Sequence, residues 1–244
     1  GPTHSRSGVV EVRFLVPQPR QNGRALTCRD PTGTLRGVQP KTKALWDKQN
    51  LHPGDRWRLF SAVRGTVAAE RVLYPGSYVD VAPSFVFPMV TYVDVDARAK
   101  AFFSDVAGVN EIIASHAGAP NHPQFQFIHS DYTADLGIAE NYDLLVSLYA
   151  GFVSEHCTKN LRVGGTLLVN PSHGDVAMAS IDPRYELTGV VTSVAGDYRV
   201  RTESLDGYLI PKKSVDLSPE MLHERGRGVA YTKSPFAYLF RRVQ

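Results

Sequence analysis

Residues 71–96 read RVLYPGSYVDVAPSFVFPMVTYVDVD and contain the pattern from which the fold can be argued. Two apolar runs, residues 72–74 and 89–93, have the composition of short strands, and a turn containing Gly76 follows the first run. Asp94 closes the second run, 18 residues after Gly76. In a parallel βαβ unit, such a glycine lets a ligand approach the backbone, and such an acid can bind ribose hydroxyls. The stretch therefore indicates a nucleotide site, with a plain crossover as the alternative.

The composition is that of a globular chain. It has 244 residues, of which 43% are hydrophobic and 21% are charged, so a sizeable core can form. No run of about 18 apolar residues occurs, and we expect no membrane-spanning helix. Residues 1–8 resemble a cloning remnant and are left out of the fold prediction. Cys28 and Cys157 lie far apart, which favours reduced thiols in a cytoplasmic protein.

Positive charge is concentrated in the N-terminal part of the chain. Residues 1–71 contain 13 Lys and Arg against 5 Asp and Glu, whereas the counts are 4 against 10 in residues 72–170 and 10 against 9 in residues 171–244. We expect residues 9–55 to form an extension whose basic arm, residues 9–40, contacts RNA or DNA phosphates. The arginines of the arm are Arg13, Arg20, Arg24, Arg29 and Arg36. An ordinary solvated surface is the alternative.

Helix-like and strand-like patterns alternate along the rest of the chain. Helices are predicted over residues 41–50, 56–70 with Asp55 as the cap, 97–117, 151–160 and 218–225. Further strands are predicted over residues 9–16, 125–128, 142–149, 185–194, 198–204, 207–211 and 234–243. Residues 161–170 are predicted to be a Gly-Gly turn that leads into another strand. This order predicts an α/β fold with a doubly wound, mostly parallel Rossmann-like sheet, antiparallel C-terminal strands and a short N-terminal β/arm extension. The ligand crevice should lie at the carboxyl ends of the strands.

Several features occur in an order that resembles a known family. A glycine-containing first motif lies at residues 71–76, followed by Asp94, the pair Asp131-Tyr132, the apolar strand 142–149, and the Gly-Gly strand 161–169. Over residues 56–244 the chain thereby resembles the class I S-adenosylmethionine-dependent methyltransferases. The resemblance implies S-adenosyl-L-methionine as cofactor and methyl transfer to an unidentified acceptor, with nucleic acid as one candidate. The cofactor-binding residues that it implies are Tyr74, Gly76, Ser77, Asp94, Asp96, Asp131, Tyr132 and Ser147.

The first motif departs from the family pattern at three positions. Tyr74 stands where the family has an acid, and Tyr78 and Asp80 stand where it has its second and third glycines. In an enzyme the Tyr78 ring must point away from the crevice, whereas in a non-catalytic relic it should fill the crevice. The enzyme is favoured because Asp94 and Asp131 both remain. A non-catalytic module that binds nucleic acid or protein is the alternative, and a nicotinamide dehydrogenase is disfavoured because no G-x-G-x-x-G fingerprint occurs.

Catalytic residues cannot be transferred by motif. After the 142–149 strand the chain has SLYA at residues 147–150 where base-specific amino methyltransferases often have a Pro-Pro-aromatic motif. Ser147, Tyr149 and His173 are the candidates, with loop capping by Ser172 and Asp175 as the alternative interpretation of the His173 loop. Neither a G-x-S-x-G elbow nor a P-loop is present.

Other aromatic and imidazole side chains have simpler explanations. The spacing of His116, His122 and His129 does not match paired ligands on a helix, so no metal site is predicted. Trp46 and Trp57 lie in predicted helices, which favours core packing over a platform for stacking bases.

Overall fold

The computed structural model describes residues 10–12, 35 and 37–244. The five arginines of the predicted arm and Cys28 lie outside the described residues. The strands are β1 (Val10–Val12), β2 (Arg71–Pro75), β3 (Met89–Asp94), β4 (Gln124–His129), β5 (Tyr142–Ser147), β6 (Leu161–Val169), β7 (Tyr185–Val194), β8 (Asp197–Arg201) and β9 (Ala237–Arg242). The α-helices are α1 (Pro40–Gln49), α2 (Asp55–Arg64), α3 (Ala97–Ser104), α4 (Val106–Ser115), α5 (Val153–Cys157), α6 (Asp175–Ile181) and α7 (Pro219–Arg225), and 3-10 turns cover Ala82–Phe85 and Thr158–Asn160.

The strands form one sheet in the order β1-β4-β3-β2-β5-β6-β9-β7-β8. Strands β2 to β6 are parallel to one another. β9 is antiparallel to its neighbours β6 and β7, β8 is antiparallel to β7, and β1 is antiparallel to β4. The strand order reverses between β2 and β5, which is the switch point where doubly wound sheets bind ligands. The predicted fold class is confirmed.

The central strands divide their side chains between two cores, one on each face of the sheet. Val72 and Tyr74 pack with residues of α1 to α4, while Leu73 between them packs with residues of α5 to α7. Alternation with a period of two is what a pleated strand produces. Because both faces are covered, both sets are apolar, and this explains why the strands read as near-continuous hydrophobic runs.

The structure corrects the bounds of two predicted helices. α2 begins at Asp55 after Gly54, whose φ is +79°, so Asp55 lies in the first turn and is not the cap. The helix ends at Arg64, not at residue 70. The helix predicted over residues 97–117 is two helices, because the Asp105 side chain accepts a hydrogen bond from the Gly108 N–H and starts α4.

Two predicted features of the strands also differ. β6 runs without interruption over Leu161–Val169 and bulges where its pairing with β5 shifts, so the Gly-Gly pair lies within the strand and does not form a turn before it. Residues 207–211 are not a strand. They begin at Gly207, with φ +88°, and contribute a single bridge between Pro211 and Tyr231.

Both tryptophans pack against the core, as predicted. Trp46 is buried and lies edge-on to Phe85, and Trp57 is partly buried against His116. α1 contacts α3 and α4. The domain boundary at residue 55 stays a prediction. Within the described part of the chain, no helix combines the length and the apolar character needed to cross a bilayer.

Candidate functional site

The turn after β2 lies at the switch point and depends on Gly76. Its φ is +65°, and its N–H donates to the Val93 carbonyl on β3 at 2.8 Å. A Cβ at this position would lie 2.5 Å from the Ala150 Cβ in the loop after β5. Ser77 is buried beside it, and its N–H also faces the Val93 carbonyl. Glycine is therefore required here for the close approach of two loops.

Tyr78 keeps a left-handed backbone where the family has its second glycine. Its φ is +48°, and its N–H donates to Asp94 Oδ2 at 2.7 Å. The half-buried ring packs at the margin of the core, and the Arg98 guanidinium lies over it at 5.2 Å. The ring is thus held between the core and an exposed arginine. This arrangement is intermediate between the two orientations considered from the sequence.

The two acids at the end of β3 have different environments. Each oxygen of Asp94 accepts one backbone N–H, from Tyr78 and from Asp96, and each keeps a further lone pair. Asp96 caps α3 through the Arg98 N–H and pairs with the Arg98 guanidinium, which lowers the pKa of Asp96 to about 2. The Asp94 carboxylate can therefore accept further hydrogen bonds from a ligand, whereas the Asp96 carboxylate is occupied by capping α3 and pairing with Arg98.

The two other departures from the family motif pair with each other. Tyr74 donates its hydroxyl to Asp80 Oδ2 at 3.1 Å, and Arg56 Nε lies 3.6 Å from the same oxygen. Both tyrosine and aspartate are buried, and burial raises the pKa of each. Arg56 also lies over the Tyr149 ring at 5.4 Å. Tyr74 and Asp80 are thus parts of one buried polar network that joins α2 to the turn after β2.

The residues after β4 lie beside the loop that follows β5. Asp131 is exposed and accepts the Thr133 N–H at 2.9 Å. Tyr132 donates its hydroxyl to the Ala150 carbonyl at 2.6 Å, and burial raises the pKa of Tyr132 to about 12. The predicted pair is therefore divided, because Asp131 faces solvent while Tyr132 supports the Ala150 loop against which Gly76 packs.

The Ser147 hydroxyl is hydrogen-bonded to the buried carboxylate of Asp175, for which the sequence predicted only a role as a loop cap. Asp175 also accepts the backbone N–H and the hydroxyl of Ser154. Asp175 is 1% exposed, and burial raises its pKa to about 6. Asp175 lies in the first turn of α6 and ties β5 and α5 to that helix. A short apolar helix that begins with an acid was the available signal.

Tyr149 and His173 lie in the loops after β5 and β6. Both have left-handed backbones, with φ +59° and +57°, and both side chains are exposed. Asn170 joins the loops, since its Oδ1 accepts the Tyr149 N–H at 3.1 Å and the Ser172 hydroxyl at 2.7 Å. Asn170 was not singled out from the sequence.

Strained backbone is concentrated along this edge of the sheet. Six described residues other than glycine have a positive φ, and three of them, Tyr78, Tyr149 and His173, follow β2, β5 and β6. A left-handed conformation costs about 1–2 kcal/mol in a residue with a Cβ. Such strain is maintained only where the surrounding structure imposes it, and it clusters at functional sites. The carboxyl edge of the sheet is therefore the candidate site.

Three of the solved structures that are similar to this chain illustrate the likeness. A cofactor-bound protein from MTB (Rv0187) shares 11% identity over 87% of this chain and 94% of its own, with a TM-score of 0.48. The O-methyltransferase from Bacillus cereus in complex with SAH shares 12% over 72% and 90%, with a TM-score of 0.42. The O-methyltransferase TomG from Streptomyces achromogenes, involved in tomaymycin synthesis and in complex with SAM, shares 14% over 66% and 87%, with a TM-score of 0.38. No protein-family model and no curated protein matches the sequence.

The sheet of this chain defines the class of its fold. The five parallel strands β2 to β6 reverse their order at a switch point. The last strand, β9, lies between β6 and β7 and is antiparallel to both. This is the class I methyltransferase fold, as the resemblance predicted.

Proposed function

We propose that the chain binds S-adenosyl-L-methionine at the carboxyl edge of β2 and β3 and transfers its methyl group to an acceptor. The observation that carries the proposal is the strained backbone of Tyr78, Tyr149 and His173 around the switch point. Two of the proteins with a similar fold have SAH and SAM bound, and we propose the same cofactor for this chain.

Two features of the site fit a nucleoside. Asp94 lies half-buried at the end of β3 and keeps one lone pair on each oxygen, so it can accept hydrogen bonds from ribose hydroxyls. Asp131 is exposed at the end of the adjacent strand β4, where the resemblance places a residue near adenine. Gly76 and Ser77 would supply backbone beside the cofactor. Ser147 is less suited to bind it, since its hydroxyl already donates to Asp175.

The chemistry that the cofactor would supply is an electrophilic methyl group. The protein's contribution is to orient an acceptor against that methyl and to exclude water, which can provide most of the rate enhancement without a dedicated base. Tyr149 and His173 are the exposed side chains at the edge that could contact an acceptor. We also propose that the basic arm contacts RNA or DNA phosphates, and nucleic acid is one candidate for the methyl acceptor.

Titration calorimetry with S-adenosylmethionine and S-adenosylhomocysteine tests the proposal. Asp94→Ala should weaken binding by about 2 kcal/mol, because it removes a charged acceptor of hydrogen bonds. Asp182→Ala is the matched control: Asp182 also accepts a backbone N–H, from Arg184, but it precedes β7 at the opposite edge of the sheet. Methyl transfer is then measured as S-adenosylhomocysteine released in the presence of RNA, DNA or small acceptors.

A non-catalytic module is the second candidate function. It is favoured by Tyr78, whose half-buried ring stands where the family has no side chain, and by the commitment of the Ser147 hydroxyl to Asp175. The same titration separates the two. If the unmodified chain binds neither compound at millimolar concentration, the enzyme proposal is wrong and the module is left.

A further inference from the structure

An arginine of α2 lies over the loop that follows β5. The Arg56 guanidinium is 5.4 Å from the centre of the Tyr149 ring, and its Nε lies 3.6 Å from Asp80 Oδ2. The second distance is too long for a hydrogen bond. No described residue accepts a hydrogen bond from the Arg56 side chain, which is 27% exposed. The guanidinium therefore keeps open donors at the carboxyl edge of the sheet.

The ion pair with Asp80 does not use the hydrogen-bonding capacity of Arg56. Each oxygen of Asp80 already accepts a hydrogen bond from another group. Arg56 also lies in the first turn of α2, where the helix dipole favours anions over cations. Arg58 of the same helix is the contrast, because its Nε donates to the Gly196 carbonyl at 2.8 Å and joins α2 to the β7–β8 hairpin. A ligand with oxygen acceptors would explain the position of Arg56.

The backbone of Tyr149 holds its ring against the guanidinium. Tyr149 has a φ of +59°, and its N–H donates to Asn170 Oδ1 at 3.1 Å. A guanidinium that lies over a ring keeps the N–H groups of its edge free for a planar ligand. A carboxylate matches this edge with two parallel hydrogen bonds. The strained loop thus prepares Arg56 for a carboxylate.

The order of the strands places Arg56 beyond the ribose of a bound nucleoside. Neighbouring strands follow the order β4-β3-β2-β5, with Asp131 after β4, Asp94 at the end of β3 and Tyr149 after β5. A nucleoside with its base at Asp131 and its ribose at Asp94 extends its 5′ substituent over β2 towards β5. Two strand spacings, roughly 10 Å, separate β3 from β5. In S-adenosylmethionine the 5′ substituent is an amino acid, and its carboxylate can reach across this interval to the guanidinium.

We propose that Arg56 binds the carboxylate at the amino-acid end of S-adenosylmethionine through a bidentate pair of hydrogen bonds. The inference rests on the proposed function, because it requires the nucleoside to lie at Asp94. It assigns a role to a residue of α2 that lies outside the motifs of the resemblance. Asp80 is 2% exposed, so it holds the guanidinium in place without contacting the ligand.

Two ligands that differ only in the carboxylate test the assignment. S-adenosylhomocysteine and its decarboxylated analogue are titrated by calorimetry against the full chain. We expect the analogue to bind about tenfold more weakly, because it cannot form the charge-assisted pair with Arg56.

Substitutions in α2 locate the effect. Arg56→Met removes the charge and keeps much of the stem, so S-adenosylhomocysteine should bind about tenfold more weakly while the affinity of the analogue is unchanged. Arg56→Lys keeps a charge beside Asp80 but loses the planar fork, and an intermediate loss is expected. Arg58→Met is the matched control in the same helix, and it should change neither affinity. Urea unfolding of each variant checks that it is folded.

The outcomes separate this inference from the proposed function. If neither ligand binds the unmodified chain, both are wrong. If the two ligands bind it equally tightly, the cofactor site stands and the role of Arg56 is overturned. The same holds if Arg56→Met weakens both ligands equally, or if the preference for S-adenosylhomocysteine persists in that variant. If Arg56→Met does not fold, Arg56→Lys decides, because a preference as large as that of the unmodified chain would overturn the role of Arg56.

Discussion

Replacing Asp175 with asparagine should stabilise the protein at neutral pH. The carboxylate is 1% exposed, and its partners are the two hydroxyls of Ser147 and Ser154 and one backbone N–H. No cation contributes to the causes of its pKa shift, and burial outweighs the three hydrogen bonds. An amide has nearly the same shape and no charge to desolvate, so Asp175→Asn removes the cost of burying the ionised form.

The magnitude follows from the pKa. Burial raises the pKa of Asp175 from 3.8 to about 6, so between those values the folded protein holds the proton more tightly than the unfolded chain. Its contribution to stability is therefore fully present below about pH 4 and is lost as the pH rises through about 6. The loss amounts to about 3 kcal/mol of the free energy of unfolding.

Urea unfolding of both proteins across this pH range provides the measurement. The variant and the unmodified chain should be about equally stable near pH 4, and the variant should gain up to about 3 kcal/mol relative to the unmodified chain near pH 7. Asp96→Asn is the control with the opposite sign, because Arg98 lowers the pKa of Asp96 and the stability that the carboxylate contributes is fully present above about pH 4. If Asp175→Asn becomes less stable relative to the unmodified chain as the pH rises, the prediction is wrong. The hydrogen bonds to the carboxylate would then outweigh the cost of burying its charge.

Three further changes test the site and the arm. Tyr78→Gly relieves the strain of a left-handed backbone but removes a half-buried ring that contacts Arg98. Urea unfolding should therefore show a net loss of only about 1 kcal/mol in the free energy of unfolding. A loss above about 3 kcal/mol would mean that the ring is part of the core. Gly76→Ala should destabilise by about 2 kcal/mol or more, because φ is +65° and the new Cβ meets Ala150; an unchanged midpoint contradicts this. The full chain should bind RNA or DNA with a log affinity that falls with log salt by about 0.7–0.9 per phosphate contacted. A truncated chain that begins at residue 41 should lose this binding. If the truncated chain binds as tightly as the full chain, the arm does not contact nucleic acid.

The parallel sheet was predictable because its strands are apolar on both faces. Buried runs such as those of β3 and β5 have no alternative location in a chain of this size. Helix ends were less predictable, since the break between α3 and α4 depends on one side-chain bond from Asp105, and a cap of this kind is not evident in an apolar pattern. The strand expected at residues 207–211 failed because composition does not show whether a partner strand lies alongside.

The candidate site was predictable in position but not in its contacts. The strand-end acids Asp94 and Asp131 could be placed from spacing, because the carboxyl ends of parallel strands share one edge. The pairing of Tyr74 with Asp80 and Arg56 could not, because it depends on how α2 lies against the turn. Asp175 also requires the structure: its partner Ser147 is 28 residues earlier in the chain.

The position of β9 in the sheet imposes an order on folding during synthesis. β6 and β7 leave the ribosome first, yet the strand that joins them in the sheet begins 36 residues after β8 ends, at Ala237 following Arg201. At about 5–20 residues per second, translation of that interval takes on the order of seconds. During this time one edge of β6 has no strand beside it, and the β7–β8 hairpin cannot join the sheet because β9 is absent. The nascent chain therefore exposes an unpaired, aggregation-prone strand edge for some seconds. A chaperone that binds this edge would improve the yield of native protein.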